Sequence, residues 1–88
     1  MNLVISVFGE DKKGIIHRVS GACVKNNLNI IDINQTILTG YFSMIMIVQK
    51  GENSIIENII NDFKVIEDDM NVKIHVQNEE IFKAMHTI

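Results

Sequence analysis

Proline is missing from this 88-residue chain altogether, and its 5 glycines are scattered. With no low-complexity stretch either, nothing marks a hinge, a flexible linker or a domain boundary. Cysteine is nearly missing. Cys23 stands alone, which excludes an internal disulfide and every paired-thiol metal or redox motif and fits a reducing compartment. A basic excess is also lacking: 8 Lys and Arg against 11 Asp and Glu give a net charge of -3, so no positive field gathers a polyanion and nucleic acid is not expected as a partner. Apolar runs such as Met44-Ile45-Met46-Ile47-Val48 are far short of the roughly 20 residues of a membrane span. Asn2 leads into a strand pattern and not into a basic, then apolar, signal sequence. A cytoplasmic protein without membrane contact is the expectation.

What is present suffices for one core. A hydrophobic share of 47% with 22% charged residues is that of a globular chain, not of a disordered one, and the length leaves room for a single domain.

The patterns change period in a regular order. Leu3 to Phe8 is apolar but for Ser6, and the polar stretch Gly9 to Gly14 stops it, which predicts a buried strand and a loop. From Ile15 the apolar positions Ile15, Ile16, Val19, Ala22 and Cys23 follow a helical stripe that ends at Asn26-Asn27. Gly21 inside this helix costs about 1 kcal/mol relative to Ala, so close approach of a neighbouring backbone is the expected compensation. Asn29 to Leu38 alternates, Ile31, Ile33 and Ile37 against Asp32, Asn34 and Thr36, and Thr39-Gly40 turns the chain into a strand from Tyr41 to Val48. Ser54-Ile55-Ile56-Glu57 has the form of a capping box, and Ile55, Ile56, Ile59, Ile60, Phe63 and Ile66 give the second helix its apolar stripe. Val72, Ile74 and Val76 alternate with Lys73, His75 and Gln77 in a fourth strand.

The order is βαββαβ. Strands one and three are apolar on both faces and two and four alternate, which puts the latter pair at the edges. The pattern predicts an α+β, ferredoxin-like fold: an antiparallel four-stranded sheet of order 4-1-3-2, two helices on one face and a short C-terminal helix. In that last helix Ile81, Phe82, Met85 and Ile88 line one side, with Glu79 and Glu80 at its positive end. The second sheet face is left apolar, which predicts a homodimer or docking of the tail.

No spacing assembles a catalytic centre, and no enzyme activity, cofactor or metal is expected. His17, His75 and His86 are scattered, without metal-ligand partners at short spacing. Cys23 sits on an apolar stripe, where a thiol serves as a small core hydrophobe. The fold class hosts unrelated activities, so rivals are weighed on residues. The loop Gly9 to Gly14 has no arginine for an acylphosphatase-like phosphate cradle and no paired cysteines for a metal chaperone. Thr39-Gly40-Tyr41-Phe42-Ser43-Met44 echoes the third strand of an RNA-recognition module, but the companion strand is aliphatic where stacking aromatics would stand.

Two segments carry a resemblance. Asp11-Lys12-Lys13-Gly14-Ile15-Ile16, followed by Asn29-Ile30-Ile31-Asp32-Ile33, resembles the loop and second-strand pattern of ACT domains. Asp32 to Ile37, Gly40 to Met46 and the ending Glu80 to Ile88 are similar to an uncharacterised family of single-ACT-domain proteins of bacteria and archaea. The resemblance implies an ACT domain at residues 1–78 and a helical extension at residues 79–88 packing on the domain or on a dimer partner. It implies a regulatory module that binds a small molecule, an amino acid by class, at a subunit interface, and that acts on a protein partner in trans. The residues it carries over as ligand-binding are Asp11, Lys12, Lys13, Gly14, Ile15, Asn29 and Ile30. Gly14 would let a ligand approach backbone N–H groups at the start of the first helix, where the dipole favours a carboxylate, and the Asn29 amide both donates and accepts. Each also has an ordinary structural role: Asp11 in ordering the loop, Gly14 in a turn, Asn29 in closing the turn before it. Lys13 stands where many members carry proline, a departure that bears on which ligand the loop takes. The alternative function is a constitutive dimerisation or adaptor domain with no ligand.

Overall fold

Alternating and helical periods resolve into β1 (Asn2–Glu10), α1 (Ile15–Lys25), β2 (Leu28–Leu38), β3 (Tyr41–Lys50), α2 (Ile56–Met70), β4 (Lys73–Asn78) and α3 (Glu79–His86). The structure, a computed structural model, describes residues 1–10 and 13–86, apart from the side chains of Leu38, Met85 and His86. The strands form one antiparallel sheet in the order β2-β3-β1-β4, the expected order read from its other edge.

Left-handed residues close the turns. Thr39 and Gly40 have φ of 50° and 85°, the pair of positive angles that a two-residue hairpin turn needs to match strand twist. Asn27 and Asn71, at φ 58° and 55°, end the two long helices, a conformation asparagine tolerates better than other residues with a Cβ.

The core lies between the helix layer and one sheet face. Leu3, Ile5 and Val7 of β1 and Phe42, Met44, Met46 and Val48 of β3 meet Ile15, Val19 and Cys23 of α1 and Ile59, Phe63 and Ile66 of α2. Each strand contributes every second residue, as the pleat requires. Burying each such side chain stabilises by roughly 1.5 to 3 kcal/mol before entropy is counted.

The opposite face is partly roofed. α3 lies against β1 and β4, and Val4, which points to this face, is only 1% exposed. Asn78 Oδ1 accepts from the Glu80 backbone N–H at 2.8 Å, capping α3, and Asn2 Nδ2 donates to Glu79 Oε1 at 3.4 Å. Phe82 is half-buried, whereas Ile81 is exposed. Of the expected tail stripe, Ile88 lies outside the described residues.

Three local expectations are overturned. Ser54 does not head a capping box: Ile55 is the N-cap residue of α2 and no side chain caps it. The Ser54 hydroxyl instead donates to the Asn26 carbonyl at 2.7 Å and accepts from the Gly51 N–H at 3.2 Å, joining two loops. Gly21 admits no neighbouring backbone; it is exposed, and a Cβ there would meet no atom within 4 Å. The third concerns β2. A bulge falls between Ile30 and Asp32, so Ile30 pairs with Val48 and Asp32 with Ile47, and Ile31 has no partner. Leu28 and Ile30 reach the core, while Ile33 and Ile37 remain 39% and 57% exposed.

Candidate functional site

The loop after β1 delivers the chain to the start of α1. Gly14 is the N-cap residue, at φ 87°, and its carbonyl accepts from the Arg18 N–H at 2.9 Å. Among the described residues no side chain caps this terminus, and its first turn holds no acidic residue. Among the described residues, then, nothing takes up the donor capacity of the first backbone N–H groups of α1 or offsets the positive end of its dipole. A Cβ at Gly14 would meet nothing within 4 Å, so the space beside the loop is open. The positive φ also gives glycine a reason of its own here, independent of any ligand. Lys13 and Gly14 are exposed, whereas Ile15 is buried in the core. Asp11 and Lys12 lie outside the described residues.

The other half of the expected site is the opening of β2. Asn29 is exposed and pairs with Gln49, and Ile30 packs against the core. Ile15 and Ile30 thus each have a packing role, Ile15 buried and Ile30 partly buried.

Register separates the two halves. Asn29, Gln49 and Asn2 share one end of the sheet, and Leu38, Tyr41 and Glu10 share the other, from which the Gly14 loop departs. The 9 residues of β1 span the distance between these ends, roughly 26 Å at about 3.3 Å per residue. No amino-acid-sized molecule reaches from Gly14 to Asn29 within one chain.

A shallow recess of about 270 Å³ opens at the loop end, lined by Phe8, Thr36, Tyr41 and Ser43. Phe8 and Tyr41 are 44% and 64% exposed. Reading the sequence for the loop motif alone passes over this recess; its signal is the pair of aromatics at far-face positions of adjacent strands.

A larger concavity lies elsewhere, an open groove of about 400 Å³ between α1 and α2 lined in part by His17, Arg18, Gly21, Lys25 and Asp62. Its cations already have partners. Arg18 pairs with Asp69 at 3.0 Å and Lys25 with Asp62 at 3.2 Å, and Asp62 also accepts from Asn26 Nδ2 at 2.8 Å. The Asn26 hydrogen bond is the main reason the Asp62 carboxyl is held below the usual carboxylate range, with Lys25 adding to it against the effect of burial. An anion in this groove would have to displace made ion pairs.

Cys23 is fully buried and its thiol lies 3.8 Å from Met46 Sδ. Burial pushes its pKa up to about 11, which leaves it an unreactive thiol at neutral pH. Among the described residues no three His, Cys, Asp or Glu side chains gather as metal ligands, and no helix is long and apolar enough to cross a membrane.

A βαββαβ order with an antiparallel sheet of order β2-β3-β1-β4 under a layer of helices is the ferredoxin-like architecture. A model of the ACT domain matches residues 1–77. The UPF0237 protein of Clostridium perfringens is 46% identical over 89 residues, with 100% of both chains covered. The solved ACT domain protein from Streptococcus pneumoniae superposes with a TM-score of 0.79 at 38% identity, over 100% of this chain and 97% of that one. The same fold recurs in a formyltetrahydrofolate deformylase from Pseudomonas putida, at a TM-score of 0.82 and 5% identity, covering 89% of this chain and 29% of that one. The chain belongs to the ACT-domain family, and within it to the UPF0237 proteins.

Proposed function

We propose that this protein is a non-catalytic regulatory domain that binds an amino-acid-sized ligand between the two copies of a cytoplasmic homodimer. The observation that carries this reading is the separation of Gly14 from Asn29 by the length of the sheet. A site that uses both must take one from each subunit, so ligand binding and assembly are linked. The start of α1, which no side chain caps among the described residues, suits a carboxylate, and the Asn29 side chain suits either an ammonium or a carboxylate. Ligand occupancy would then report on, or alter, the subunit interface that a protein partner reads in trans. ACT domains as a class are regulatory ligand-binding modules, which agrees with this assignment.

A second reading is favoured by one observation. The recess at the loop end is shallow and open in a single chain, while exposed isoleucines on β2 supply an apolar surface that needs no ligand. A constitutive dimerisation or adaptor domain follows from that. Thermal denaturation in the presence of each amino acid separates the two: a ligand at a hundredfold excess over its dissociation constant stabilises by about 2.7 kcal/mol. No shift with any amino acid at millimolar concentration would leave the adaptor reading in place of the sensor.

A further inference from the structure

We propose that the sheet face turned away from α1 and α2 holds a second ligand site, a shallow recess over β2 and β3 that takes a linear aliphatic polyamine. It uses neither Gly14 nor Asn29, and it stands whether or not the amino-acid reading above holds.

The bulge in β2 creates the recess. Leu28 and Ile30 reach the core, and an unbroken alternation would send Asp32, Asn34 and Thr36 to the same side. The extra residue between Ile30 and Asp32 reverses the parity, so that Ile33 and Gln35 pair with the core residues Met46 and Met44. Asp32, Asn34 and Thr36 are turned instead to the far face, opposite Ile47, Ile45 and Ser43. Bulges commonly re-aim side chains beside functional sites. α3 roofs the half of this face that β1 and β4 form, and the recess lies on the other half.

These six residues line about 350 Å³, within the range of small-molecule sites. Charge names the ligand's head. Among the described residues the Asp32 carboxylate has no ion-pair partner, and the side chains of Asn34, Thr36 and Ser43 make no hydrogen bond. All four can accept, Asp32 with a full charge. The lining holds no cation, so an anion would meet the carboxylate's repulsion with only neutral donors against it. An ammonium matches Asp32, and the chain's net charge of -3 adds to the attraction.

The floor names the rest. Ile45, 38% exposed, and Ile47, half-buried, give an aliphatic track beside the line of polar groups. From Asp32 to Thr36 the strand advances roughly 13 Å at about 3.3 Å per residue. A methylene chain lies on the isoleucines, one ammonium meets Asp32, and a further N–H group reaches the cross-strand hydroxyls of Thr36 and Ser43. A neutral polyol would leave the carboxylate without a counter-charge and the isoleucines without methylenes. A short monoamine would reach the Asp32 end alone.

The test is titration of the full chain with spermidine at constant ionic strength, read by backbone amide NMR shifts. We expect saturable binding with shifts concentrated at residues 32–36 and 43–47, and roughly tenfold weaker binding for Asp32→Asn, the loss of a charge-assisted hydrogen bond. n-Butylamine should bind more weakly than spermidine, and the double variant Thr36→Val, Ser43→Ala should narrow that difference. Asp68→Asn, at an exposed carboxylate on α2, should bind as the wild type does. Shifts that never saturate, or an equal loss in Asp68→Asn, would reduce the effect to general attraction by an acidic chain and overturn the site. Butylamine binding as tightly as spermidine overturns the polyamine assignment. An Ile45→Glu variant that lowers the mass in light scattering overturns the proposal as well, by giving this face to a second copy.

Discussion

Asn26 donates from its side-chain amide to Asp62 Oδ2 at 2.8 Å and to the Ala22 carbonyl at 2.8 Å, tying the end of α1 to the middle of α2. Asn26 is buried, so both protons of its amide depend on these two acceptors. Asn26→Ala should destabilise by about 1 to 3 kcal/mol, because it removes two side-chain hydrogen bonds, one of them to a carboxylate, while the Ala22 carbonyl keeps the residue's backbone N–H, and lower the melting temperature by about 4–8 °C per kcal/mol. The same bond makes stability depend on acid. A carboxyl whose folded pKa lies below its unfolded one stabilises fully above the ordinary carboxylate range and loses that contribution as pH falls through the folded value. Melting curves at descending pH should therefore fall less steeply for Asp62→Asn than for the wild type. Equal slopes would show that the pair does not contribute to folding.

Cys23 supplies an alkaline counterpart. Its thiol is neutral in the fold up to about 11, above the pKa of an unfolded thiol, so its contribution to stability is complete at neutral pH and is lost as pH rises from the ordinary thiol range through that value. A thiol reagent should leave native Cys23 unmodified at pH 7 and label it fully in denaturant. Labelling of the native protein within minutes would mean that the packing of α1 on β3 opens readily.

How far these relations could be read beforehand depends on whether they are local. The order of elements follows from period changes at Ile15, Asn29 and Ile55, and edge against centre follows from which strands alternate. Cys23 was legible as a core residue because a stripe of neighbours specifies it. Ser54 was not, since its partners are the Asn26 carbonyl and the Gly51 N–H, contacts that only the fold creates. Gly21 invited a packing explanation that its open surroundings remove. The bulge at Ile31 left no mark in the alternation, yet it decides which isoleucines of β2 reach the core and which stay outside. Gly14 and Asn29 were legible as a pair of motifs, but their separation appears only once β1 is laid between them.

At Gly14 the backbone has φ 87°, so a side chain there is strained by about 1–2 kcal/mol even though space is open. Gly14→Val should remain folded with a lowered melting temperature and should lose any stabilisation by an amino acid. Asn29→Ala, at an exposed position, should leave the unliganded melting temperature nearly unchanged and weaken the ligand response by roughly 1 kcal/mol or more. Comparing melting temperatures with and without ligand for each variant separates strain from binding. A full ligand response in both would remove the loop and the β2 opening from the site.

The C-terminal helix is the last element whose role can be measured. α3 contacts β1 and β4, is capped by Asn78 and holds Phe82 half-buried on a sheet face whose Val4 is almost inaccessible. Eight residues cannot sustain a helix alone, so its order comes from this docking. Truncation after Asn78 removes this roof and should expose Val4, joining it to the far-face residues Ile45 and Ile47 beside it, of which Ile45 is already 38% exposed. Uncovering one aliphatic side chain costs about 1.5 to 3 kcal/mol, a large share of a small domain's total stability. We expect the truncated chain to melt several degrees lower and to self-associate as the patch opens to solvent. Larger species should appear as concentration rises. Light scattering across a dilution series, paired with melting curves, reads both effects. An unchanged mass and melting temperature would show that α3 covers nothing the sheet needs covered.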